Sequence, residues 1–261
     1  MKTLYGRTVL LTGASSGLGP HIARRLHAEG ALLVLSARHQ DALERLAGEL
    51  DSARVVVADL SLPLDVERLA DEAGAIDILV ANAGVPASGE LVSFTVDQID
   101  RALDVNLRAA MVLANRLLPG MLSRKSGHVV LMASMHSKMP TALVSVYNAT
   151  KFGLRGFGLA LGQELYGTGV GVSVINPTFI TQAGMWAETG TATHRLAGLV
   201  TPARVAEAVV TAITKGRAEV DVAPLGARLA AAMPHLVGTL ARRVGATDIP
   251  PAAVDRQFAK R

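Results

Sequence analysis

The chain has 261 residues, half of them hydrophobic and 18% charged, which provides a large apolar core and excludes intrinsic disorder. Its net charge of +4 resides in the C-terminal segment, where Arg228, Arg242, Arg243, Arg256, Lys260 and Arg261 outnumber Asp248 and Asp255. The body is therefore near neutral, which argues against a nucleic-acid-binding face, and the lack of cysteine excludes disulfides, thiolate metal sites and cysteine nucleophiles.

Short β-prone runs alternate with helical ones. Strands are predicted at 8–11, 32–36 and 55–58, each followed by a helix, at 21–29, 41–50 and 64–72. A fourth strand at 76–81 precedes Thr95-Val96-Asp97-Gln98, which has the form of a capping box. The helix it opens runs toward Asn106, and a further helical stretch continues to Met121. Strands at 129–133 and 170–175 flank a long helix at 147–165. Thr201-Pro202 opens the next helix with proline at its first position, and 220–223 is a seventh strand. Continuous apolar strands separated by helices predict an α/β fold: one doubly wound, Rossmann-type domain with a mostly parallel seven-stranded sheet and helices on both faces. Residues 1–225 form the dinucleotide-binding and catalytic domain in this reading, and 226–261 a C-terminal amphipathic helical extension of it. No apolar run reaches the roughly 18–20 residues that cross a bilayer, and the N-terminus lacks a signal-peptide core, so a cytoplasmic protein is expected.

Ligands of doubly wound folds bind at the carboxyl ends of the strands. After the first strand stands Thr12-Gly13-Ala14-Ser15-Ser16-Gly17-Leu18-Gly19. Gly13 suits a tight turn, Gly17 close approach of a pyrophosphate, and Gly19 close helix-to-strand contact. The helix that follows offers free N–H groups and the positive end of its dipole to phosphates. The spacing is G-x-x-x-G-x-G rather than G-x-G-x-x-G.

Taken with four further motifs, this turn resembles that of the short-chain dehydrogenase/reductase family. Asn82-Ala83-Gly84 is similar to the family's N-A-G motif, and Tyr147-Asn148-Ala149-Thr150-Lys151 to its Y-x-x-x-K. Ser134 lies thirteen residues before the tyrosine, the family's usual separation, and Asn106 falls on its catalytic asparagine. The resemblance covers roughly residues 5 to 225. It implies a catalytic set of Asn106, Ser134, Tyr147 and Lys151. It also implies that Asp59 and Leu60 meet the adenine, that Lys151 binds the nicotinamide ribose, and that Asn106 holds a water in a proton relay. The family also pairs through the helices here spanning about 107–121 and 148–165, so a homodimer or homotetramer is expected.

An acid at the end of the second strand would bind the adenosine ribose and repel a 2′-phosphate. The chain has Ser36-Ala37-Arg38 there, a hydroxyl and a planar fork of donors, so NADP(H) is expected over NAD(H). No metal is expected. The residues themselves account for the proton chemistry. A free phenol has a pKa near 10, and a nearby ammonium favours phenolate. Tyr147 and Lys151, four apart on a helix, share one face. Tyr147 is therefore the expected acid/base in hydride transfer between nicotinamide and a carbonyl or secondary alcohol, with Ser134 donating to the substrate oxygen. Ser137 and Ser145 are the other nearby hydroxyls, and His136 is read as a rim residue.

Two departures from the family concern the nicotinamide side: Asn176-Pro177-Thr178 replaces its usual Pro-Gly, and Thr181-Gln182 or the backbone of Ile180 must serve where it often has a threonine. Pro177 and Ile180 are expected to face the cofactor. Val85, Leu91, Met135, Met139, Leu143, Met185 and Trp186 suggest a largely apolar small-molecule substrate under a lid at 183–200 with Gly184 and Gly190. Beyond Pro224, Leu229, Met233, Leu236, Val237, Leu240 and Val244 recur at helical spacing. A helix packed on its own body or on a second subunit is favoured over one resting on a membrane. A reductase of lipid-like ketones at a membrane surface is one alternative reading, and a non-catalytic NADP(H)-sensing regulatory protein another.

Overall fold

The computed structural model describes residues 3–51, 53–187 and 198–233. In chain order it runs β1 (Thr8–Thr12), α1 (Gly19–Ala28), β2 (Leu32–Ala37), α2 (Gln40–Glu49), β3 (Arg54–Val57), α3 (Pro63–Ala73) and β4 (Ile78–Ala81). It continues with α4 (Val96–Leu103), α5 (Ala109–Ser123), β5 (Gly127–Met132), α6 (Ser145–Glu164) and β6 (Val170–Pro177). The last elements are β7 (Phe179–Ile180), α7 (Gly184–Ala187), β8 (Leu199–Val200), α8 (Pro202–Lys215), β9 (Glu219–Val222) and α9 (Leu225–Ala232). All seven predicted strands lie in one sheet, ordered β3-β2-β1-β4-β5-β6-β9, and every neighbouring pair is parallel. The two-residue strands β7 and β8, which the sequence pattern does not announce, pair apart from it.

The sheet is buried on both faces because its strands alternate side chains between two apolar clusters. Val9, Leu11, Ile78 and Val80 point into the layer formed by α1, α2 and α8, with Ile22, Leu26, Leu43, Val205 and Val209. Leu10, Leu79, Val129 and Leu131 point into the layer formed by α3, α5 and α6, with Leu69, Leu113, Leu154 and Leu161. The predicted capping box forms: Thr95 Oγ1 accepts from Gln98 N–H and Gln98 Oε1 from Thr95 N–H.

The helical stretch beyond α4 differs from the pattern's expectation. Asp104–Arg108 is a π-helical turn, and Asn106 lies inside it. Such single turns insert one extra residue into a helix and gather at functional sites. Of the predicted tail helix, residues up to Ala232 are helical, with Leu229 and Met233 exposed. Leu236, Val237, Leu240, Val244 and Gly190 lie outside the described residues.

One buried titratable group in the sheet serves no site. His128 on β5 is 1% exposed, and its Nε2 lies 2.8 Å from Ser173 Oγ on β6. Ser173 donates its own proton to the Arg217 carbonyl, so Nε2 carries the imidazole hydrogen. Burial pushes the His128 pKa from 6.5 down to about 4. Between those values the unfolded chain holds a proton that the folded chain does not, so folding stability falls as pH is lowered across that window. Urea midpoints measured from pH 7 to pH 4 should show this slope in the native protein and a flatter one in His128→Gln.

Candidate active site

The sheet order reverses direction at β1 and β4, and the crevice between their carboxyl ends is the place where a doubly wound fold binds ligands. Two polar side chains join the two strands there. Thr12 Oγ1 accepts from the N–H groups of Asn82 and Ala83, each at 3.1 Å. Asn82 Nδ2 donates to the carbonyls of Thr12 and Gly13 at 3.0 and 3.2 Å. Gly13 then turns with φ +63°, and a Cβ on it would lie 2.8 Å from Ala83 Cα, so only glycine lets the turn pass this close to the N-A-G segment. Gly19 is constrained by space: a Cβ there would stand 2.1 Å from the Gly13 carbonyl oxygen.

A cavity of about 550 Å³ opens over this junction. One end is lined by Gly13, Ser16, Gly17, Leu18 and Arg38, the middle by Asn82, Ala83 and Gly84. The far end holds Ser134, Tyr147, Lys151, Pro177 and Ile180. Ser15, Gly19, Asp59, Leu60 and Asn106 are not among its lining residues. Ser36 is 1% exposed, and its Oγ is buried without a hydrogen-bond partner. Burial would raise the Asp59 carboxyl, but hydrogen bonds from Ser61 and then the charges of Arg38 and Arg101 hold it below the usual range.

Local structure positions each member of the expected catalytic set. Lys151 is 3% exposed on α6, and its Nζ donates to the Met132 carbonyl at the end of β5, at 2.8 Å. The same Nζ lies 5.7 Å from the centre of the Tyr147 ring. Asn106 reaches α6 and the loop after β4 together. Its Oδ1 accepts from Val85 N–H at 2.7 Å, and its Nδ2 donates to the Val85 carbonyl and to Thr150 Oγ1. Ser134 begins a short 3-10 turn (Met135–Ser137) and accepts from His136 N–H.

Tyr147 and Lys151 perturb each other less than burial perturbs both. Burial pushes the phenol up to about 12, against a hydrogen bond with Ser134 that acts the other way. Burial also pushes the Lys151 ammonium down to about 8. The sequence spacing led to a phenol made more acidic by its neighbour. In the folded chain desolvation outweighs that attraction, and the phenol is protonated at neutral pH.

Several residues play parts the sequence did not announce. His136 lines the cavity with its ring 5.9 Å from those of Tyr147 and Phe179, and its Nδ1 lies 3.4 Å from Ser134 Oγ. Arg101 on α4 and Phe179 are also on the wall. Ser137, the alternative hydroxyl, is fully buried and donates to Asn176 Oδ1 at 2.9 Å, and Ser145 is exposed. Asn176, in the stretch that stands at the family's Pro-Gly, donates in turn to Glu219 and Asp221, which Lys138 joins at 3.1 and 2.7 Å. Arg155 on α6 closes this network on Glu219, whose carboxyl is held down near 2, against burial, by Arg155, Asn176 and Lys138. Of the residues expected at the substrate, Val85 and Met185 line the cavity. Met135 instead packs with Ala223 and Ala231, and Leu91 is exposed.

A glycine turn at the β1–β4 junction, beside a serine, a tyrosine and a buried lysine on one cavity, defines a dinucleotide-dependent oxidoreductase class. Comparison with known proteins agrees. The model of the short chain dehydrogenase family matches residues 7–194. A ketoacyl reductase of Nostoc sp., HetN, is 38% identical over 85% of this chain and 80% of its own. An uncharacterised oxidoreductase of Staphylococcus aureus is 34% identical over 82% of this chain and 94% of its own. Among solved structures, an actinorhodin polyketide ketoreductase with NADPH superposes with a TM-score of 0.77 at 29% identity, covering 87% of this chain and 99% of that one. A 3-ketoacyl-(acyl-carrier-protein) reductase from Brucella melitensis, complexed with NADH, does so at 0.77 and 27%, covering 86% and 100%. The chain belongs to the short-chain dehydrogenase/reductase family and is an NAD(P)-dependent enzyme of it.

The turn's packing gives a direct test. Gly19→Ala forces its Cβ into the Gly13 carbonyl and the Ala14 backbone. It should destabilise the fold by about 1–3 kcal/mol, read as a lower urea midpoint at unchanged slope.

Proposed function

We propose that the protein is an NADP(H)-dependent carbonyl reductase acting on a largely apolar substrate, with Tyr147 as the acid/base. The observation that carries this reading is the convergence of Ser134, Tyr147 and Lys151 on one end of a cavity whose other end is the glycine turn and Arg38. The residues present fit a dinucleotide. Gly13 and Gly17 hold positive φ where a pyrophosphate needs close backbone approach, and Ser36, two residues before Arg38, keeps a buried unpartnered hydroxyl. In this reading Gly13, Ser15, Ser16, Gly17, Leu18 and Gly19 hold the diphosphate, and Ser36 and Arg38 the 2′-phosphate. Asp59 and Leu60 meet the adenine, Asn82, Ala83 and Gly84 the central span. Tyr147 and Lys151 meet the nicotinamide ribose, and Pro177 and Ile180 the ring. When bound, the dinucleotide supplies or takes the hydride.

The chain's own residues handle the oxygen. Ser134 donates to the substrate carbonyl and to the oxyanion that develops there. Tyr147 transfers its phenolic proton to that oxygen and becomes phenolate. Lys151 stabilises the phenolate, and Asn106 fixes the helix that carries both. The phenol is protonated at neutral pH and so enters as a proton donor, as reduction requires. Val85, Val144, Phe179, Ile180 and Met185 give the substrate end apolar walls. Two of the relatives named above are ketoacyl reductases, which supports a substrate with a ketone along an acyl chain. Relatives are found with NADPH and with NADH, so the NADP(H) preference rests on Ser36 and Arg38 and on the absence of an acid at the end of β2.

The tail enters this reading as part of the same domain, since Ala227 and Ala231 of α9 pack against Met135 and Met139 beside the Ser134 turn. Pairing of two chains would use α5 and α6, where Met111 and Phe152 are each 40% exposed.

Tyr147→Phe should lower kcat for NADPH-dependent ketone reduction by about 10²–10⁴-fold while the affinity for NADPH stays near wild type. Near-normal turnover in that variant would refute the acid/base role. Arg38→Ala should weaken NADPH about tenfold or more and leave NADH little changed.

A further inference from the structure

Arg101 is the one strongly basic side chain on the cavity wall outside the family's motifs. It stands five residues before Asn106 on α4 and lines the same cavity as Arg38, which lies at the β2 end. A solvated arginine on this helix has acids in reach: Asp97 lies one turn before it and Asp104 one turn after. It pairs with neither, and among the described residues its side chain makes no ion pair or hydrogen bond. Its side chain lines the cavity instead, and its Nε is buried without a hydrogen-bond partner. A guanidinium donor buried in this state costs free energy unless something accepts from it. Arg38, likewise without an ion pair, shares one carboxylate with it. Both arginines act on Asp59, whose Oδ1 already accepts from the N–H and hydroxyl of Ser61. Two cations against one carboxylate leave this end of the cavity net positive.

We infer that Arg101 is a second phosphate-binding arginine, which grips the adenosine 2′-phosphate from α4 together with Arg38. The inference rests on the NADP(H) reading above and adds to it a contact from a helix that the cofactor motifs leave out. A planar guanidinium with a free Nε–H suits a phosphate oxygen, and its approach from α4 adds a second element to the clamp. Selection of NADPH is then a property of the closed crevice and not of the β2 end alone.

The test is fluorescence titration of the full-length protein with NADPH and with NADH, for wild type, Arg101→Gln and Arg101→Lys, with thermal melts of each. Arg101→Gln should weaken NADPH about tenfold or more and NADH less than about twofold, and Arg101→Lys should recover part of the NADPH loss. 2′,5′-ADP should compete less well against Arg101→Gln than against wild type, whereas 5′-AMP should compete equally. Equal weakening of both dinucleotides places Arg101 on the adenine, the diphosphate or the fold, and overturns the inference. Unchanged NADPH binding also overturns it. Failure of the NADP(H) reading itself shows separately, as a wild-type protein that binds NADH at least as tightly as NADPH.

Discussion

The hydroxyl of Thr12 holds the molecule's two halves at the distance on which the cavity depends. β1 leads outward to β2 and β3 on one side and, through β4, to β5, β6 and β9 on the other. At their carboxyl ends the two directions diverge, and Thr12 Oγ1 spans the junction. It accepts from the N–H groups of Asn82 and Ala83, and Asn82 returns its amide to the carbonyls of Thr12 and Gly13. The crevice is thus closed at its floor by side chains while its walls stay open. Gly13 then lacks a Cβ for a geometric reason, because the same bonds draw Ala83 to within 2.8 Å of where it would stand.

At the far end, burial and charge compete. Lys151 sits close enough to the Tyr147 ring to favour phenolate, yet both groups lie in surroundings that disfavour their charged forms. Desolvation wins for each, leaving a neutral phenol beside an ammonium whose hold on its proton is weakened. Both therefore hold a proton at neutral pH, the ammonium less firmly than a solvated one. The cationic excess at the Arg38 end has the opposite character. It is exposed to the cavity and offset by one carboxylate, whereas at the Lys151 end desolvation governs both groups.

Much of this was legible because the informative residues are local in sequence. The glycines follow one strand, Tyr147 and Lys151 lie four apart on one helix, and thirteen residues separate Ser134 from the tyrosine. The inner strands were equally plain, since apolar runs buried on both faces have no polar alternation to confuse them, whereas the edge strand β9 alternates Glu219 and Asp221 with Val220 and Val222. What escaped was set by three-dimensional packing. Nothing in Asp104 to Arg108 distinguishes a π turn from an α turn, yet that turn lets Asn106 reach both Val85 and Thr150. Arg101, flanked by acids on a helix of high polarity, reads as a solvated face until the fold turns it inward. The effect of burial on the phenol was also out of reach, because spacing reports which groups are neighbours and not how much water surrounds them.

Asn176 shows how one buried amide can tie together the parts of a site. At the end of β6 a carboxamide precedes Pro177, and it is fully buried. Its oxygen accepts from Ser137, and its nitrogen donates to Glu219 and Asp221 on the edge strand β9. Lys138 and Arg155 complete the charge balance from the Ser134 turn and from α6. Two carboxylates, two cations and one amide thereby link the turn that carries Ser134, the helix that carries Tyr147 and the last strand of the sheet. Broken at one member, such a network leaves a buried charge unpaired, so its parts are coupled. Ser137, which by sequence alone competes with Ser134, is held in this network away from the cavity. The same bonds that occupy it fix the turn from which Ser134 faces the phenol, so the network both removes the competing hydroxyl and orients the one that remains.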